Sequence, residues 1–302
     1  MKNVSAKPDT LRTATAACVL HAPADCIVLL RERRAEKGDA LEIGRMAAML
    51  AAKKTWELLP LCHQLPLTGI DITYELGEAQ VSITARVETI AGTGVEMEAL
   101  TAVSICALTI YDMLKPHAAQ DALRVTDRRL LEKTGGKSQY ARALSPPGRA
   151  VILAASDAVS SGKKKATAAQ TIREGLERAG LQVAATEVMP DEPAQIVARL
   201  RHHLAQGADL IVTVGGTGVY GRDQTVDAVR PLLDKELPGF MEAARGYGQR
   251  RTPYAMLSSG IAGVAGKTLI ITFPGSTRGA HETLTALIAG IVHAIEGLRR
   301  SA

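Results

Sequence analysis

Residues 93–115, TGVEMEALTAVSICALTIYDMLK, open on a Gly94-bearing turn, pass through Glu96, Met97 and Glu98, stay uncharged from Ala99 to Tyr111, and close on Asp112 and Lys115. This apolar body predicts a buried helix. Its early acids and its late lysine complement the helix macrodipole, and an ordinary core helix with solubilising ends accounts for the pattern unaided. Spacing adds a constraint. Glu98 and Asp112 are 14 positions apart (112 − 98), so at about 100° per residue they return to nearly one face. Along the axis they lie roughly 21 Å apart, while Asp112 and Lys115 are i, i+3 neighbours. The two polar ends therefore cannot serve one small-molecule site in a single copy unless other elements bridge them. A symmetric oligomer solves this by juxtaposing opposite ends of helices from different subunits.

Upstream of this helix, Ile70–Tyr74 and Val81–Ile90 alternate around Gly77 and predict an antiparallel hairpin. Asp39, after Lys37-Gly38, caps a helix from about Ala40 to Lys54. Leu58–Leu67 is a Pro-broken turn centred on His63, and the opening residues form a loop leading into a strand. Downstream, a looser segment runs through Leu123–Val125 to Leu130–Ser138. The first half therefore predicts an α+β fold. Pro146-Pro147-Gly148 closes a linker at 143–148, separating a domain at 1–142 from one at 149–302. Beyond it, apolar strands at Ala150–Ala155, Leu181–Val188, Leu210–Val214 and Thr268–Phe273 alternate with helices near Thr167–Ala179, Pro193–Gln206 and Gly279–Leu298. That alternation predicts an α/β domain with a doubly wound parallel sheet.

A length of 302 residues suits two domains, each with its own core. Apolar residues make up 46% but aromatics only 3%, so the cores must be aliphatic. With so few stacking side chains and no clustered basic helix, the chain does not read as a nucleic-acid binder. A net charge of +5 suits an anionic small-molecule substrate as well as a nucleic acid, so charge alone does not decide. Cys18, Cys26, Cys62 and Cys106 show no CxxC spacing, which argues against a disulfide framework or structural zinc and for a reduced compartment. No apolar run reaches the roughly 20 residues of a membrane span, so the expectation is a soluble cytoplasmic protein.

Chemistry in the first half gathers beside turns. Lys37 precedes Gly38, His63 sits in its Pro-bounded turn, and Lys137 follows Gly135-Gly136. A lone lysine is ordinarily solvated surface and His63 could be a satisfied loop histidine. Cys62-His63 lacks the second pair that a zinc site needs. Together with Asp112 and Lys115, however, these residues supply proton shuttles and cations for rearranging a polyphosphorylated compound. The stretches VSAK at 4–7, KGD at 37–39, AAKKTWELLPLCHQLPL at 51–67, TGVEMEALTAVSICALTIYDMLK at 93–115 and LLEKTGGKS at 130–138 resemble the cyclic pyranopterin monophosphate synthase (MoaC) family of molybdenum cofactor biosynthesis. The resemblance implies a ferredoxin-like subunit in a homo-oligomer, a hexamer built as a trimer of dimers with sites at subunit interfaces. It implies conversion of the 3′,8-cyclo-dihydro-GTP intermediate to cyclic pyranopterin monophosphate with loss of diphosphate. It places Asp112, Lys37 and Lys115 on catalytic positions, with His63 as a further acid/base candidate. Leu61, Cys62, His63, Met97 and Glu98 fall on substrate-contacting positions, with Glu96 and Lys137 beside them.

In the second half, strand Leu210–Val214 runs into Gly215-Gly216-Thr217-Gly218, with Arg222-Asp223-Gln224-Thr225 shortly after. Glycines after a buried parallel strand let backbone N–H groups approach an anion. The pattern is neither a P-loop nor a dinucleotide fingerprint. Asp191 and Asp223 could each simply cap the helix that follows, or face one cleft and hold Mg²⁺ on a phosphate chain. ASD at 155–157, SSG at 160–162, MPDE at 189–192, TVGGTG at 213–218, RDQT at 222–225 and FPGS at 273–276 resemble the MoaB/Mog family of molybdopterin-binding proteins. This implies adenylylation of molybdopterin with Mg²⁺ and ATP. It places Asp191 and Asp223 on catalytic, metal-holding acids, and Gly215, Gly216, Thr217, Gly218 and Ser276 at the substrate. The expectation is a fused enzyme acting at two non-consecutive steps. The alternative is a catalytic first domain joined to a pterin-binding or oligomerisation module.

Overall fold

The computed structural model describes residues 1–119, 121–136, 139, 144–163, 165–221 and 223–300. The chain divides into two compact units, 1–140 and 141–302.

In the first unit, β1 (Thr10–His21) alternates small apolar residues with threonines, and Ala14, Ala16, Cys18 and Leu20 are fully buried. α1 (Ala24–Glu32) follows, then α2 (Ala40–Lys53), whose start is capped as expected. The Asp39 carboxylate accepts from the Leu41 and Glu42 backbone N–H groups, at 3.1 and 3.2 Å. After the short α3 (Thr55–Leu58) comes the expected hairpin, β2 (Leu67–Leu76) and β3 (Gln80–Ala91), then α4 (Glu96–Leu114). The segment expected to be loose is a strand, β4 (Arg124–Thr134). Its pattern misleads because none of its residues is buried, and a register shift opposite Thr15 and Ala16 breaks the alternation. Such an irregular, charged strand is characteristic of a sheet edge. The sheet order is β2-β3-β1-β4, with every neighbouring pair antiparallel.

α4 lies against this sheet and against α2, burying Ala99, Ala102, Val103, Cys106 and Ile110. Residues 96–117 are long and apolar enough to cross a membrane by length and composition alone, contrary to the shorter run counted from the sequence. Half of that window is buried inside the unit, which makes it the core helix of a sheet-and-helix layer.

The second unit begins with β5 (Gly148–Ala155), the short α5 (Asp157–Ser160), α6 (Thr167–Arg178), β6 (Leu181–Met189), α7 (Pro193–Ala205) and β7 (Leu210–Val214). Then follow α8 (Thr225–Val229), the two-residue β8 (Lys235–Glu236), α9 (Pro238–Gln249), β9 (Ala262–Ala265), β10 (Thr268–Phe273) and α10 (Thr277–Arg300). The order is β6-β5-β7-β10-β9-β8. The first four strands are parallel, but β9 pairs antiparallel with β10 on one side and β8 on the other, so the sheet is mixed where a parallel one was expected. Only Gly266 and Lys267 separate β9 from β10. A parallel crossover needs about a dozen residues, whereas a two-residue loop makes a hairpin. Buried side chains alternate along the strands between two cores, one under α6 and α10 and one under α7 and α8.

Candidate functional sites

At the C-terminal end of α4, Asp112 is held between two lysines. Its Oδ2 accepts from Lys37 Nζ at 2.9 Å and its Oδ1 from Lys115 Nζ at 2.6 Å. Lys37 is placed by the turn closing from Ala35 to Gly38, directly before the capped start of α2. Lys115 sits where Pro116 prevents α4 from continuing. Hydrogen bonds from Lys115 and then Lys37 hold the Asp112 carboxyl down at about 2, and the Lys115 ammonium is correspondingly raised by Asp112. Lys37 and Asp112 edge a cleft of about 390 Å³ walled by Ile43, Ile105 and Leu108.

The other end of α4 gathers a different set. Glu98 is buried, and burial first, with the charge of Glu96 adding, raises its carboxyl above the ordinary 4.5. The Cys62 thiol is raised by burial and then by Glu98, which places the Pro-bounded turn beside that acid. His63 Nε2 donates to the Lys2 carbonyl at 2.9 Å. That bond puts the proton on Nε2 and leaves Nδ1 as an acceptor. Leu61 and Met97 are 71% and 42% exposed, apolar side chains uncovered at this same end.

Three cations missed by the sequence reading join Glu96 here. Lys7, Arg12 and Lys133 line a cleft of about 240 Å³ with Glu96, whose Oε1 accepts from Lys133 Nζ at 3.1 Å. Gly135 and Gly136, both at φ +90, press the chain onto Arg12, where any Cβ would collide with its guanidinium or with the Leu11 carbonyl. Lys137 follows immediately and lies outside the described residues. The available signals were VSAK, which contains Lys7, and the paired glycines. Lys133 likewise lies inside LLEKTGGKS at 130–138, whereas Arg12 is a strand residue that carries no local mark. Within one protomer, the structure thus keeps Asp112, Lys37 and Lys115 at one end of α4, and Glu96, Met97, Glu98, Cys62 and His63 at the other.

In the second unit, Gly215 and Gly216 turn left-handed directly after β7, with φ of +100 and +60. Gly215 N donates to the Phe273 carbonyl at 3.0 Å. A Cβ on Gly216 would come within 3.0 Å of Asp191 Oδ1, and one on Gly218 within 2.5 Å of Asp223 Oδ2. Both acids therefore lie against the loop backbone. Neither caps a helix: Glu192 and Gln224 occupy the cap positions of α7 and α8, without side-chain cap bonds. Asp191 Oδ1 instead accepts from Thr225 Oγ1 at 3.4 Å, and Asp223 Oδ2 from Tyr220 N at 3.1 Å. Thr217 is buried, and its carbonyl accepts from Ser259 N and Oγ at 2.9 and 3.0 Å. Ser276 Oγ accepts from Gly279 N at 3.2 Å, capping α10. No cluster of three His, Cys, Asp or Glu residues suited to a metal occurs among the described residues. Two hard carboxylates beside a backbone loop fit Mg²⁺ shared with substrate phosphates, and do not fit an all-protein cage.

Residues 1–136 match the model of the MoaC family, and residues 151–294 match that of the probable molybdopterin binding domain. A molybdenum cofactor biosynthesis bifunctional protein of Chlorobaculum tepidum is 42% identical over 299 residues, 99% of this chain and 94% of that protein. A cyclic pyranopterin monophosphate synthase 2 of Mycobacterium bovis is 47% identical over 137 residues, 45% of this chain and 81% of that protein. The solved structure of a molybdopterin biosynthesis enzyme MoaB from Thermus thermophilus covers 50% of this chain and 96% of its own, at 45% identity and a TM-score of 0.48.

Proposed function

The chain belongs to the family of molybdenum cofactor biosynthesis bifunctional proteins, and from that premise we propose that its two units catalyse two steps of that biosynthesis. The first unit converts the cyclic dihydro-GTP intermediate to cyclic pyranopterin monophosphate and releases diphosphate. The observation that carries this reading is Asp112 gripped by Lys37 and Lys115. A carboxylate kept ionised between two ammonium groups can take a proton from the substrate while a lysine returns one, and the remaining charge neutralises phosphate. His63 Nδ1, facing away from the bond to Lys2, supplies a second acceptor.

Because these groups and the Glu98 end of α4 lie far apart in one copy, the site is composite, formed where two copies bring opposite ends together in a hexamer or trimer of dimers. The ferredoxin-like reading of this unit is supported by its strand order and its helix-separated strand pairs. A cytoplasmic setting suits substrates derived from GTP.

The second unit adenylylates molybdopterin. The substrate phosphate oxygen bonds to the α-phosphorus of ATP as the α–β bridging bond breaks, and diphosphate leaves. Asp191 and Asp223 would hold Mg²⁺, which supplies charge neutralisation on the phosphate oxygens. The loop Gly215–Gly218 presents backbone N–H groups at the carboxyl end of the sheet. The test is diphosphate release by the full chain with molybdopterin and Mg-ATP. Release that disappears in Asp223→Ala supports the enzyme, while tight pterin binding without turnover in the wild type would make this unit a binding module.

A further inference from the structure

β6 and α7 are joined by residues 190–192 alone, and Asp191 stands in the middle of that turn. Met189, Ile196 and Leu200 share one apolar cluster between the two elements. On the same buried stripe of α7, at i+7 from Ile196, comes a histidine, His203, whose side chain is 4% exposed. Its Nε2 donates to Glu187 Oε1 on β6 at 2.9 Å. Arg199 forks onto the same carboxylate, with Nε on Oε2 at 2.6 Å and Nη2 on Oε1. Arg199 first, and His203 after it, hold the Glu187 carboxyl below the ordinary 4.5 against the opposing pull of burial. With Nε2–H committed to Glu187, His203 Nδ1 is left buried and without a hydrogen-bond partner among the described residues. None of the three residues lies in the stretches that carry the family resemblance.

We propose that Glu187, Arg199 and His203 are positioning residues for Asp191: they fix the register of α7 on β6, and the three-residue turn between the two elements then delivers Asp191 to the metal ion. The proposal rests on the reading of Asp191 as a metal-holding acid. Such a trio is a poor source of stability. Withdrawing a carboxylate from water costs desolvation, the orphaned Nδ1 adds to that cost, and apolar side chains of similar volume commonly hold such a contact as well or better. What the trio supplies is direction. An apolar contact is non-directional, whereas a forked guanidinium–carboxylate pair has one preferred geometry. Sliding α7 along β6 would break all of its bonds together. Glu187 precedes Asp191 by four positions (191 − 187) and α7 starts two after it (193 − 191), so a shift of the helix passes into the Asp191 backbone. That residue is also held from the other side. Asp191 N donates to Asp157 Oδ1 at 3.1 Å, and its Oδ1 accepts from Thr225 Oγ1 at 3.4 Å.

The experiment separates placement from stability. In the full chain, Glu187→Leu, Arg199→Met and His203→Leu are combined, and Mn²⁺ binding in the presence of α,β-methylene ATP is titrated by electron paramagnetic resonance. The triple variant should melt at or above the wild-type temperature. Its Mn²⁺ affinity should fall about tenfold, the low end of the range for losing a group that orients a metal ligand. Arg199→Lys keeps the charge but loses the fork, and should lose affinity to a similar extent. His203→Gln keeps an N–H for Glu187 and should stay within about twofold of wild type. Affinity within about twofold of wild type in both the triple variant and Arg199→Lys would overturn the proposal. So would affinities that fall only in step with the melting temperature across the series, because the trio would then be structural alone. Asp191→Asn distinguishes the two readings. If it binds Mn²⁺ as the wild type does, the metal-site reading fails and this proposal with it; if it loses Mn²⁺ while the trio variants keep it, only the positioning role fails.

Discussion

Asp112→Asn is the sharpest perturbation of the first unit, because it changes charge and leaves shape. Asp112 takes Lys37 on one oxygen at 2.9 Å and Lys115 on the other at 2.6 Å. An asparagine can accept from only one of them and presents its own N–H₂ to the other, so one ammonium must swing away. The side chains involved are 51–58% exposed, and exposed pairs contribute little to stability. The melting temperature should therefore move by no more than about 2 °C. Turnover should fall roughly 10²–10⁴-fold, the range expected when a positioned acid–base group is lost. Supplying the cyclised GTP intermediate and quantifying cyclic pyranopterin monophosphate by chromatography measures the first effect, and calorimetry the second. Activity retained within about tenfold would refute the assignment. So would a loss of activity matched by a large fall in melting temperature, since Asp112 would then be structural.

Other expectations follow from the same geometry. The lowered Asp112 carboxyl favours folding above its ordinary 3.8, a contribution lost as pH falls through about 2; the raised Lys115 favours it below its ordinary 10.5, a contribution lost as pH rises through the higher folded value. Asp112 and Lys115 thus face each other as ions between those limits, and a pH–rate profile with an acid-limb midpoint near pH 5 that vanishes in Asp112→Asn would contradict it. Glu98, buried and raised above 4.5, opposes folding increasingly as pH rises through its folded value. Glu98→Gln should therefore melt about 2–4 °C higher at neutral pH, with the gap closing in acid, while synthase activity falls; calorimetry at two pH values checks the sign. Gly218→Ala puts a Cβ where Asp223 Oδ2 lies 2.5 Å away. Displacing that acid should cut adenylylation by about 10²-fold and leave the first unit's product formation unchanged, both measured on the same preparation.

The strongly periodic elements were legible in the sequence. α4, the β2–β3 hairpin and the strands β7 and β10 show themselves through apolar runs or alternation, and Asp39 announces its helix because capping is a local interaction. β4 was not legible, since an exposed edge strand of arginines and acids has no buried face to impose a period. The antiparallel margin of the second sheet was missed because β9 has only four residues and its meaning lies in the two-residue turn. For the sites, residue types near turns pointed to Lys37, His63 and the glycine loop. Arg12 became visible only when the sheet formed and carried it, with Lys133, to Glu96. The capping alternative for Asp191 and Asp223 was equally open from sequence. A tertiary contact with Thr225 for Asp191, and a local bond back to the Tyr220 amide for Asp223, decide against it.

The central claim is that the two ends of α4 act in one site contributed by two copies. Differently tagged Asp112→Asn and His63→Ala chains, each inactive alone, should be co-expressed, purified through both tags and assayed for cyclic pyranopterin monophosphate. If every site pairs the Asp112 end of one copy with the His63 end of another, random mixing leaves about a quarter of the sites intact, and activity should return to about that fraction of wild type. Mixed assemblies as inactive as either parent would contradict the composite site.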